Sequence, residues 1–134
     1  MLFWLLAALG LFFAQTMLPA TLRYVLPRPF EWARLWIALG PRDEQPPLSV
    51  WGGRAERALV NLREAMPVFL PLAVLHIAEP TADGGPELGA AIFVIARMLY
   101  VLAYLSGIPG LRSTVWLVSW SGLAWMIAPL AMRA

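Results

Sequence analysis

The chain has 134 residues, of which 60% are hydrophobic and 13% charged, with a formal net charge of +2 and a mean hydropathy of +0.70. A soluble domain carries about 25% charged residues, so a soluble globule is excluded. An integral membrane protein is indicated, with room for about four spans of ~20 residues. There is no Cys, which excludes a disulfide, a thiolate metal site and a protein thiol nucleophile. With a single His, no metal site is expected, and no nucleic-acid partner is expected either.

The first apolar segment, 2–26, is interrupted by Gln15, Thr16 and Arg23. It lacks the basic start of a signal peptide and reads as a retained helix. A linker follows over 27–52, with Arg28, Arg34 and Arg42 and the turn-forming stretches GPRD and EQPPLS. Within it, Phe30–Leu39 reads as a short interfacial helix, with Glu31 and Arg34 polar and Trp32, Leu35 and Trp36 toward the headgroups.

The second span, 53–78, carries polar groups foreign to a lipid-facing helix. Arg57, Asn61 and Glu64 stand at i, i+4 and i+7, within about 60° of one another at ~100° per residue. An ionisable group near a bilayer centre costs ~2.5–3.5 kcal/mol, so this stripe must line something polar. Pro67 and Pro71 are expected to kink the helix. Arg63 points away from the stripe and is expected to snorkel or to meet Glu56. His76 is expected at the interface near Glu79.

The next loop, EPTADGGPE, has three acids and no base, and Pro86 and Glu87 suit the first turn of the third span, 87–105. Arg97, Tyr100 and Tyr104 form a second stripe there. After the short SGIPG turn come Arg112 and the fourth span, 113–132, which holds no charge. No internal repeat is visible, and 1–134 reads as one four-helix transmembrane domain. Trp4, Trp116, Trp120 and Trp125 read as interfacial or lipid-facing anchors.

The positive-inside rule places the arginine-rich first linker and the third loop in the cytoplasm and both termini on the opposite side. Arg57, Asn61, Glu64, Arg97, Tyr100, Tyr104, Arg112 and Ser113 then converge on the cytoplasmic leaflet. They would wall a polar cavity for an anionic, amide-rich ligand, since Arg pairs carboxylates bidentately. Alternatives stand beside this reading. The Arg, Asn and Glu side chains also suit plain helix association, the tyrosines suit packing, and Ser113 suits a helix cap.

The stretch RALVNLREAMPVF resembles the second-helix signature of the MAPEG family, the membrane-associated proteins in eicosanoid and glutathione metabolism. ARMLYVLAYLSGIPGLRS resembles that family's junction of third and fourth helices, and GPRDEQPPLSVWGGRAERA is similar to the linker of its bacterial branch. The resemblance implies a homotrimer of four-helix protomers in a bacterial inner membrane, with glutathione in a cleft between neighbouring protomers that opens to the cytoplasm. By the same resemblance Arg57, Asn61 and Glu64 hold the tripeptide, and Arg97, Tyr100 and Tyr104 lie near it. Arg112 stabilises the thiolate, Ser113 has a similar role, and Arg23 is the first-helix arginine that joins the site.

Three positions depart from the family's eicosanoid branches: Tyr100 stands for His, Trp116 for Tyr, and Ala65 for Tyr. Eicosanoid substrates are therefore not carried over. The expected function is a glutathione-dependent transferase or peroxidase acting on lipophilic electrophiles. The alternatives are a non-catalytic trimer binding glutathione or another anion, or a purely structural polar interface. A transporter is disfavoured, because the fourth span offers no polar path.

Overall fold

The computed structural model describes residues 1–27, 31–41, 45–80 and 84–132. Arg28, Phe30 and Arg42 of the linker lie outside them. The described residues are helical, without strands: α1 is Leu2–Ala20, α2 Trp32–Leu39, α3 Val50–Ala78, α4 Gly85–Ser106 and α5 Leu111–Ala131. Four helices are long and apolar enough to cross a membrane, α1 with its extension to Val25, α3, α4 and α5. Large apolar side chains such as Phe3, Phe13, Leu102 and Leu117 point outward. This all-α architecture suits an integral membrane protein, because such side chains are stable facing lipid and costly facing water.

Pro19 lies inside α1. Its ring removes the N–H that would meet the Gln15 carbonyl. Beyond it the chain widens into a π turn, Thr21–Val25, closed by Leu26 N–H donating to Thr21 O at 3.0 Å. The turn buries Tyr24 and leaves Arg23 beside it. Helix α2 buries none of its residues, and Trp32 and Trp36 are 72% and 74% exposed.

Helix α3 starts at Val50, ahead of the Gly pair at 52–53, because Ser49 caps it. The Ser49 hydroxyl accepts from Gly52 N–H at 3.0 Å. The helix is continuous through Pro67 and Pro71. Its inner face, with Leu62, Met66, Phe69 and Ala73, recurs every three or four residues and packs on Phe93 and Val94 of α4 and Leu123 and Met126 of α5. Phe69 and Phe93 stack at 4.5 Å between centroids and 12° between planes.

Helix α4 begins after Gly84 and ends at Gly107, both with positive φ, 64° and 72°. Helices α4 and α5 touch backbone to backbone at Gly89 and Gly122. A Cβ on Gly122 would lie 2.6 Å from Gly89 O, and one on Gly89 2.7 Å from Gly122 O. Small residues at a crossing allow this approach, which dispersion and close packing reward in a membrane.

Candidate functional site

At one end of the bundle the start of α3, the end of α4 and the start of α5 meet around a cavity of about 370 Å³. Arg54 and Arg57 line it from α3, Ala103 and Tyr104 from α4, and Arg112 and Ser113 from α5, with the turn 107–110 closing it. Among the described residues no carboxylate lines it. The Arg57 guanidinium stands 5.9 Å from the Tyr104 ring centroid and that of Arg112 5.6 Å from the same ring. Both distances lie within the ~6 Å reach of a cation–π contact, so one phenol ring holds two cations at the cavity wall.

Arg112 and Ser113 occupy the first turn of α5. Gly110, not Ser113, holds the cap position, and Ser113 N–H donates to Gly110 O at 3.0 Å. A helix start carries roughly half a positive charge from its unpaired N–H groups, and this adds to the arginines. Side chains and the start of α5 thus both set a positive field at this cavity, of the kind that suits an anion.

Behind the cavity lies a ladder of rings and guanidiniums. Tyr104 meets Tyr100 edge-on at 5.5 Å and 65°. Arg97 lies 5.6 Å from the Tyr100 ring and 5.3 Å from that of Phe93. Arg97 is buried and donates to Asn61 Oδ1, while its Nε and second terminal nitrogen have no hydrogen-bond partner among the described residues. The two polar stripes of α3 and α4 thus face one another, but their deeper members bind each other and do not line the cavity.

Of the expected site residues, Arg57, Tyr104, Arg112 and Ser113 share the cavity. Asn61, Arg97 and Tyr100 form the layer beneath it. Glu64 is exposed on α3 beyond Asn61 and outside the lining. Arg23 is elsewhere: it donates to Gln45 and lines a separate cavity of about 230 Å³ with Tyr24, Glu56 and Arg63. Glu56 and Arg63 fall about 100° and 120° around α3 from Arg57 at ~100° per residue, so the two cavities occupy different sides of that helix. Arg63 and Glu56 do share this second wall.

His76 is 4% exposed, with Nε2 2.8 Å from Met126 O. It lies in the last turn of α3 and joins that helix to α5, with its side chain packed inside the bundle. Among the described residues no group of three His, Cys, Asp or Glu could hold a metal ion.

Arg54 lines the cavity as well, although the sequence reading does not single it out. The signal that could have found it is its spacing: three residues before Arg57, it falls on the same stripe.

A protein-family model described as MAPEG family matches residues 1–132. No curated protein and no solved structure matches the chain.

Proposed function

We propose, from the premise that this chain belongs to the MAPEG family, that it is a glutathione-dependent transferase or peroxidase acting on lipophilic electrophiles. The family makes it a membrane protein of the glutathione- and eicosanoid-related kind; the activity and the residue roles are our reading. The observation that carries it is one cavity, free of acids among the described residues, that gathers Arg54 and Arg57 from the start of α3 with Arg112 and Ser113 from the start of α5.

The cavity fits the tripeptide chemically. Its volume of about 370 Å³ falls within the ~300–1,000 Å³ of small-ligand pockets. Glutathione, when bound, supplies the thiol that the chain lacks. Arg57 is suited to fork a carboxylate. Tyr104 keeps Arg57 and Arg112 in place by ring contact.

Arg112 and the start of α5 favour an anion over a neutral thiol. A free thiol has a pKa of ~8.5, and each unit of lowering corresponds to ~1.36 kcal/mol of preferential anion binding. Ser113 donates a hydrogen bond to the same anion. Arg23 lies away from this cavity in its own protomer; in the homotrimer of this reading it would join the site from a neighbour. The lipophilic substrate arrives from the bilayer beside α4 and α5. By the charge of the first linker, the cavity opens to the cytoplasm.

A second reading, a non-catalytic trimer whose polar residues serve structure, draws on the Asn61–Arg97 bond. It accounts for that pair but leaves Arg57 and Arg112 in the cavity without a task.

The test is ultraviolet absorption of the purified protein titrated with glutathione in lipid nanodiscs. A thiolate band is expected in the wild type and its loss in Arg112→Ala. No band, or an equal band in the variant, sinks the mechanism.

A further inference from the structure

Arg54 crosses from the first turns of α3 to the end of α4. Its Nη1 donates to Leu105 O at 2.7 Å. That oxygen belongs to the last turn of α4, where carbonyls lack intrahelical donors. Two residues on, Gly107 has φ 72°, a conformation that favours glycine. A Cβ there would lie 2.5–2.7 Å from the guanidinium atoms of Arg54. Glycine thus serves two needs at one position: the left-handed turn and the seat for the guanidinium.

Among the described residues, little else holds the turn that follows. Gly110 has φ 82°, and a Cβ built on it would meet nothing within 4 Å. The hydrogen bonds around the turn are local. Ser106 Oγ donates to Ala103 O at 2.8 Å and accepts from Ile108 N–H at 3.3 Å, and Gly110 O accepts from Ser113 N–H. These bonds shape the turn but do not fix it to another helix, whereas Arg54 does.

Charge points the same way. The end of α4 presents roughly half a negative charge to the cavity, which opposes an anion there. A guanidinium on its last carbonyls offsets that field while the start of α5 and Arg112 act unopposed.

We infer that Arg54 is a positioning residue: it pins the α4–α5 turn to α3, so that Arg112 and Ser113 face the cavity, and it masks the carbonyl end of α4. The pinning stands on geometry alone; its consequence for a bound thiol rests on the glutathione reading above.

Because the chain has no Cys, Ile108→Cys with a nitroxide label is a unique reporter on the turn, and Ile108 is exposed. The label is read by electron paramagnetic resonance in full-length protein in nanodiscs. Arg54→Gln is expected to shift it to a shorter correlation time, and Arg54→Lys to restore part of the immobilisation. Gly107→Ala, which expels the guanidinium without removing it, is expected to mobilise the label as Arg54→Gln does. This keeps the test available should Arg54→Gln fold poorly. Arg63→Gln, which removes a charge from the other side of α3, is expected to leave the label unchanged.

In unlabelled protein, the pH profile of the glutathione thiolate band is expected to move up by about one unit in Arg54→Gln, a tenfold loss of thiolate at a fixed pH below the pKa. An unmoved label in both Arg54→Gln and Gly107→Ala overturns the inference. So does weakened glutathione binding with an unmoved label, which would make Arg54 a direct ligand contact. A wild type without a thiolate band removes the proposed function, while the label still decides the pinning in either direction.

Discussion

Asn61 Oδ1 accepts a 2.5 Å hydrogen bond from Arg97, whose side chain is 1% exposed. The bond joins α3 to α4 just beneath the cationic cavity. It gives a buried guanidinium its polar partner, and the rings of Phe93 and Tyr100 lie within cation–π range of it.

Removing that partner is expected to be costly. Interhelical hydrogen bonds in membranes average only ~0.6 kcal/mol, but a loss that strands a charge lies nearer ~2–3 kcal/mol. Asn61→Ala should therefore lower the unfolding free energy in detergent by about 2 kcal/mol. Asn61→Asp, which keeps an acceptor and adds a countercharge, should stay near the wild type. Equal losses in both variants would show that shape, not the bond, is what matters there.

The crossing of α4 and α5 makes a sharper prediction. Gly122→Ala would set a Cβ 2.6 Å from Gly89 O and 2.8 Å from Phe93 N. Backbone cannot yield as a flexible side chain can, so the helices must separate, at about 1–3 kcal/mol. Gly10→Ala is the control. A Cβ there meets nothing within 4 Å, and helix propensity alone should stabilise it by ~0.5–1 kcal/mol. Thermal unfolding in detergent should thus move in opposite directions for the two glycines.

These glycines also mark what the sequence reveals and what it does not. Each span is legible because some twenty consecutive residues are apolar enough to stay in lipid. The site half on α4 and α5 is legible because Tyr104 and Arg112 flank a turn too short to part them. Helix rotation and crossing are tertiary properties, so the Gly89–Gly122 contact left no mark that composition could carry. The same holds for Arg23, whose distance from the cavity follows from how α1 and its π turn pack on α3. Asn61 was legible as a polar anomaly, but whether it would face a ligand or Arg97 depended on a neighbouring helix. The partner of His76 was not legible, because a lone His near a helix end says nothing of the Met126 carbonyl opposite.

His76→Phe should separate stability from function. The bond to Met126 O lies in the interior between α3 and α5, whereas the cavity is built by the first turns of α3 and α5. Loss of the bond should cost ~0.6–1.7 kcal/mol. The glutathione thiolate band should be unchanged in protein that remains folded. A lowered band at full folding would place His76 in the functional machinery.

Tyr104 separates the ring from the hydroxyl. Its ring lies within cation–π range of both Arg57 and Arg112, at 5.9 and 5.6 Å. At partly exposed sites such a contact is worth ~0.5–1 kcal/mol. Losing two of them in Tyr104→Leu should raise the Kd for glutathione by about five- to thirtyfold, at ~1.4 kcal/mol per tenfold. Tyr104→Phe keeps both contacts and should bind within about twofold of the wild type, well under the ~1 kcal/mol of a lost hydrogen bond. Isothermal titration of the two variants reads the difference directly. If Phe weakens binding as much as Leu does, the phenol acts through its hydroxyl and the ring is not what organises the two arginines.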